Sequence, residues 1–127
     1  MDLLLDTHAF LWWLSDDPDL GPESRAHIER SSNSAFISAA TAWEIAAKRA
    51  SGRLVAPGEI EQWIADEGFL ELAIDVGHAV ESAELPRHHK DPFDRLLIAQ
   101  ARSEDLTLVA RDDEMEKYEV TILDASR

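Results

Sequence analysis

The chain of 127 residues has no cysteine. Disulfides and thiolate metal sites are therefore excluded, and a reducing compartment fits without being required. No apolar run approaches the ~20 residues that a membrane-spanning helix needs. The first residues hold no basic segment ahead of an apolar one, which argues against a secretory leader and for a cytoplasmic location. Positive charge is scarce. Lys and Arg number 12 against 26 Asp and Glu, a net charge of −14 with neutral histidine. Such a surface keeps a protein soluble, repels nucleic acid at long range and attracts cations or basic proteins. What is present is an ordinary core-forming share of apolar residues, 45%, in a length that suits one domain over residues 1–127.

Two kinds of apolar segment alternate along the chain. Continuous or alternating runs at "LLLD" (3–6), "AFISA" (35–39), "FLELAID" (69–75), "LTLVA" (106–110) and "EVTIL" (119–123) read as short strands. Between them, helices are expected at "THAFLWWLS" (7–15), "ESRAHIERSS" (23–32), "TAWEIAAKRASGR" (41–53), "PGEIEQWIADEG" (57–68), "VGHAVESAEL" (76–85) and "FDRLLIAQARSED" (93–105), with a short one at "DDEMEKY" (112–118). "DDPDLGP" and "RHHKDP" read as loops from their Pro, Gly and Asp content. This alternation predicts an α/β fold, a three-layer α/β/α sandwich around a mainly parallel sheet of about five strands. No repeat or linker interrupts it.

In open α/β sheets, ligands bind beyond the carboxyl ends of the strands. Asp6 ends the first strand, and Arg111, Asp112 and Asp113 follow the fourth. Glu44 and Asp94 lie on helices. Wound in the usual way, the sheet brings Asp6, Glu44, Asp94 and Asp112 to one edge. Each also has a structural explanation. Asp6 and Asp112 suit helix N-caps, Glu44 precedes Lys48 by one helical turn, and Asp94 favours the dipole of a first turn. Yet Glu44 sits among Ala42, Trp43, Ile45 and Ala46, apolar company for a solvated acid. Carboxylates gathered without partners raise one another's pKa. A divalent cation relieves that repulsion, and oxygen donors favour Mg²⁺ or Mn²⁺ over zinc. Cations so held serve phosphoryl chemistry.

The blocks "LLLDTHAFLWWL", "ISAATAWEIAAKRASGRL", "HHKDPFDRLLIAQA" and "LTLVARDDEMEKYEVTIL", in this order and spacing, resemble the PIN-domain family. More narrowly they resemble the VapC-type toxins of bacterial toxin–antitoxin pairs. The resemblance implies an α/β/α fold and an acidic cluster that holds Mg²⁺ or Mn²⁺ to hydrolyse RNA, leaving a 5′-phosphate and a 3′-hydroxyl. Residue by residue it assigns the cluster to Asp6, Glu44, Asp94 and Asp112. Thr7 matches the hydroxyl residue that often follows the first acid. A cognate antitoxin and a homodimer are implied as partners. One departure is Ala110, where the family often has Thr or Ser. Asp91 and Asp113 are additional acids without an assigned role.

RNA needs a positive approach, for which Lys48, Arg49 and Arg53 form one candidate cluster and "RHHK" (87–90) another. A second function class is a module whose acidic pocket docks a basic antitoxin segment without significant catalysis. An exposed Trp12 or Trp13 would then serve as interface anchor. A phosphotransferase of the haloacid-dehalogenase type, with a second Asp two residues after the first, conflicts with His8.

Overall fold

The buried run Leu3–Leu5 forms the middle of the sheet, in a computed structural model that describes residues 1–127 apart from the side chain of Asp113. The elements follow in the order β1 (Asp2–Leu5), α1 (Thr7–Leu14), α2 (Pro22–Glu29), β2 (Ser34–Ser38), α3 (Ala39–Ala50), α4 (Ile60–Asp66), β3 (Leu70–Leu72), α5 (Val76–Glu84), α6 (Pro92–Ser103) and β4 (Thr107–Ala110), then a single 3-10 segment (Asp113–Lys117) and β5 (Ile122–Asp124). The five strands lie in the order β3-β2-β1-β4-β5. Every neighbouring pair is parallel, so the sheet is wholly rather than mainly parallel.

Both faces are covered, which explains why β1 is a continuous apolar run. Leu3 and Leu5 pack with Phe10, Ile28, Ile45 and Ile64 on one side, beneath α1, α2 and α4. Leu4, between them, points the other way and joins Leu97, Ile98 and Leu108 under α6. Fully burying a Leu contributes about 1.5–3 kcal/mol, so the three leucines, each at 0% exposure, anchor the sheet from both sides. Gln100 is buried on α6, where its carbonyl accepts from the Ser38 hydroxyl and its amide donates to Ala73 O at 3.2 Å.

Several boundaries differ from expectation, each for a local reason. Ser38 caps α3 by accepting from Ala40 N, so the helix begins two residues before Thr41. α4 starts at Ile60 rather than Pro57, because Gly58 takes a positive φ of 107°. The third strand shrinks to Leu70–Leu72 at the sheet edge. The last strand shifts to Ile122–Asp124, and so ends in an acid as β1 almost does.

The chain runs from β1 outward through β2 and β3, then crosses back to put β4 on the other side of β1. The crevice beside that reversal, above the carboxyl ends of β1 and β4, is where α/β sheets bind ligands.

Candidate metal centre

Asp6 leaves β1 at this crevice, and its backbone N–H still bonds Val109 O at 2.9 Å. Its side chain works at two places. Oδ1 accepts from Ala9 N at 2.8 Å, capping α1, and Oδ2 accepts from Arg111 N at 3.0 Å, just past β4. Asp6 is therefore an N-cap and a crevice acid at once. It is 2% exposed. Burial raises its pKa, against which the Ala9 and Arg111 N–H groups and His8 pull downward.

Glu44, on α3, is 5% exposed. One carboxylate oxygen accepts from the Thr7 hydroxyl and the other from Lys48 Nζ at 2.9 Å. The expected turn-spaced pair with Lys48 exists, but at a buried carboxylate and not on a solvated face. Thr7, next in sequence to Asp6, thus ties the first acid to the second.

Asp94 lies in the first turn of α6, whose N-cap is Asp91. The Asp91 carboxylate accepts from Phe93 N at 2.8 Å and Asp94 N at 3.2 Å. Asp112 caps the 3-10 segment through Oδ1, accepting from Glu114 N at 2.9 Å. Its Oδ2 lies 3.0 Å from His89 Nε2, and Asp94 Oδ2 lies 3.0 Å from the same nitrogen. Burial first, then the carboxylates of Asp91, Asp6, Glu44 and Asp112, push Asp94 up to about 8. Asp113, which follows Asp112, has its side chain outside the described residues.

Asp6, Asp94 and Asp112 line one cavity of about 520 Å³ together with His8, Arg111, Asp124 and Ser126. Glu44 stands behind it and bears on it through Thr7 and through its field at Asp94. The four acids expected to meet are thus neighbours, three facing the cavity and one backing it. Asp124 and Ser126 were not singled out from sequence. Asp124 ends β5 as Asp6 follows β1, so "TILD" echoes "LLLD" and held the signal. Ser126 donates to Asp124 at 2.7 Å, which holds the Asp124 carboxyl below the usual range. It also brings to the cavity a hydroxyl that Ala110 cannot offer. His89 carried no signal in spacing; only the fold carries its ring to the acids.

The expected basic approaches differ in use. Arg49 donates to Ala56 O and Gly58 O and lies over the Trp63 ring, and Lys48 is engaged by Glu44. Lys48 and Arg49 are thus committed to the fold, whereas Arg53 is exposed and donates to Ser51 Oγ at 2.9 Å. Arg87 and Lys90 instead line an open pocket of about 480 Å³ with His89 and Arg95. Trp12 and Trp13 are half-buried against the core, Trp13 packing on Phe69 at 5.8 Å. The exposed tryptophan is Trp43, at 58%, edge-on to Phe93 with ring centres 4.8 Å apart. At the far end of α1, Leu11, Leu14, Leu54, Val55, Pro57 and Trp63 line an apolar groove of about 510 Å³, with Asp66 and Glu67 beside it. No helix among the described residues is long and apolar enough to cross a membrane.

The fold and site define a class, parallel α/β/α domains that gather carboxylates at the reversal point of the sheet, here Asp6 and Glu44 buried and Asp94 and Asp112 partly exposed. The chain belongs to the PIN domain family, whose profile matches residues 3–120. PIN domains are generally nucleases and typically bind divalent metals. Solved structures of toxin–antitoxin complexes share the fold, among them these three. VapBC2 from Rickettsia felis, bound to a DNA fragment from its promoter, superposes with a TM-score of 0.69 at 15% identity, over 97% of this chain and 98% of that one. DNA-bound VapBC from Salmonella typhimurium gives 0.68 at 22% identity over 98% of each chain. FitAcB from Neisseria gonorrhoeae gives 0.65 at 20% identity over 97% of each. No curated protein is significantly similar in sequence.

Proposed function

We propose that this protein is a Mg²⁺- or Mn²⁺-dependent endoribonuclease, the toxin of a toxin–antitoxin pair. The observation that carries the reading is Asp94. It is an acid pushed up to about 8 by burial and by Asp91, Asp6, Glu44 and Asp112, in a cavity it shares with Asp6 and Asp112. Such a group sits badly as a lone carboxylate and well beside a cation. The donor chemistry fits a hard divalent ion, being carboxylate oxygen throughout the four acids. Asp6, Asp94 and Asp112 would hold the ion, with Glu44 either joining them or orienting the attacking water. The cation supplies Lewis acidity, polarising the phosphate and making water a better nucleophile.

The chain's own groups do the rest. The backbone N–H groups of Ala9 and Arg111 hold Asp6 in one orientation without neutralising it. The neutral Thr7 hydroxyl does the same for Glu44, which Lys48 also pairs as a cation. Attack of water on phosphorus breaks the P–O3′ bond, the proton of the water goes to a carboxylate or to solvent, and the departing 3′-oxygen takes a proton from solvent, leaving a 5′-phosphate and a 3′-hydroxyl. The exposed Arg87 and Lys90 give the RNA backbone a positive approach on an otherwise acidic surface.

The antitoxin partner has support of its own in the groove of Leu11, Leu14, Val55 and Trp63 with its acidic edge, which suits an amphipathic, basic segment. A homodimer has an aromatic surface available at Trp43 and Phe93. The experiment is cleavage of a structured RNA by wild type and Asp6→Asn with Mn²⁺, beside calorimetric titration of Mn²⁺ into both. Cutting and Mn²⁺ binding lost together in Asp6→Asn support the nuclease. Partner binding with neither supports the docking module.

A further inference from the structure

The loop between α5 and α6 is braced more heavily than a solvated linker requires. Arg95 donates to the carbonyls of Ser82, Leu85, Pro86 and His89, at 2.8, 2.9, 3.1 and 3.1 Å. The Tyr118 hydroxyl donates to Pro86 O at 2.7 Å and accepts from His89 N at 2.9 Å. These bonds fix the backbone of His89. Its ring is fixed separately. Asp91 N donates to His89 Nδ1 at 3.1 Å, so Nδ1 must present a lone pair and the ring hydrogen sits on Nε2.

That choice of tautomer decides what the ring can do. A histidine that ligates a metal donates its other ring N–H to a carbonyl, carboxylate or water. In His89 the other nitrogen faces an N–H donor instead, so Nε2 is a donor and not a free lone pair. It lies 3.0 Å from both Asp94 Oδ2 and Asp112 Oδ2, with its hydrogen bond going to Asp112, and the ligand-type atoms of the three residues all fall within 4.8 Å of one another. Distance alone makes this a His–Asp–Asp metal triad. The hydrogen-bond pattern says otherwise.

We infer that His89 is a positioning residue: a donor locked by the Asp91 backbone, which hydrogen-bonds the Asp112 carboxylate and so holds it beside Asp94 without itself ligating the cation. The inference rests on the metal-site reading above. It gives Asp91 a function beyond capping α6, through its main chain. It also accounts for Arg95 and Tyr118, which keep the donor at its post.

The test uses Mn²⁺ as probe with His89→Ala and His89→Gln, the glutamine amide restoring an N–H near the place of Nε2. Outer-shell partners of metal ligands typically contribute 10–100-fold in affinity. Calorimetry is expected to show Mn²⁺ binding weakened about 10–100-fold in His89→Ala and largely restored in His89→Gln, with circular dichroism showing both folded. Pulsed electron paramagnetic resonance of the wild-type Mn²⁺ complex is expected to show no coupling from a directly bound imidazole nitrogen. Such a coupling, absent in His89→Gln, makes His89 a ligand and overturns the inference. So does a His89→Ala that binds Mn²⁺ as the wild type does. A wild type that takes up no Mn²⁺ overturns this inference together with the metal-site reading, whereas equal binding by wild type and His89→Ala overturns this inference alone.

Discussion

Asp94→Asn should make the metal-free protein more stable at alkaline pH while making it indifferent to the cation. In the native chain Asp94 holds its proton to about 8, against 3.8 ordinarily. An unfolded chain releases that proton near pH 4. Between these values the native state binds more protons, so its stability falls as pH rises through the window and is fully reduced above about 8. Four pH steps at about 1.36 kcal/mol each set a ceiling near 5 kcal/mol. The Asp94 side chain is 20% exposed at the cavity, and water and counter-ions there screen it, leaving an expected penalty of about 1–2 kcal/mol. Asparagine keeps the shape but never ionises. In EDTA at pH 8 the variant should therefore melt above wild type, by about 3–8 °C, and the two should coincide near pH 4. Millimolar Mn²⁺ should reverse the order, since a ligand at 100 times its Kd adds about 2.7 kcal/mol to the protein that binds it. Scanning calorimetry at several pH values, with EDTA or with Mn²⁺, reads all of this. A variant no more stable than wild type in EDTA at pH 8, or one that gains from Mn²⁺ equally, would refute the reasoning.

Asp6→Asn should lose cleavage at least a hundredfold, as removal of a central charge-stabilising group does. Its fold should persist, because Asn caps helices nearly as well as Asp; one of the two accepted N–H bonds goes, costing about 1–2 kcal/mol by urea titration. Thr7→Val removes the donor to a buried oxygen of Glu44, and chemical denaturation should register a loss of about 1–3 kcal/mol together with slower cleavage. Gly21→Ala would drive a methyl into the backbone of Arg127, whose carbonyl accepts from Glu23 and Ser24 at the start of α2. Melting should fall by the equivalent of about 1–3 kcal/mol, with cleavage of RNA at low temperature little changed.

The layers of this fold were open to sequence reasoning because burial on two faces leaves a plain mark. "LLLD" and "LTLVA" cannot belong to a surface strand, and the helices between them carry one-sided stripes. The edge strands marked themselves less. β3, of three residues, and β5, displaced by its ending at Asp124, have fewer neighbours to dictate side-chain pattern. Among the site residues, acids at strand ends were legible because strand direction delivers them to one edge. Glu44 was legible by its apolar surroundings, although its exact posture depends on Thr7, a contact across 37 positions. His89 was not legible. Its ring reaches Asp112 across 23 positions and only because Arg95 and Tyr118 shape the loop, and no local rule encodes that bracing. Arg49 misled in the other direction, since a basic residue at a helix end reads as surface charge until Trp63 covers it.

α1 has acids at its entrance and the apolar groove at its exit. Its eight residues rise about 1.5 Å each, so the two places are separated by about 12 Å along the axis. An extended peptide covers about 3.3 Å per residue, and about four residues bridge that gap. On the function proposed above, binding and inhibition by one partner would thus be separable. A segment that stops at the groove would hold the protein and leave the acids open, and a tail of about four more residues would reach them.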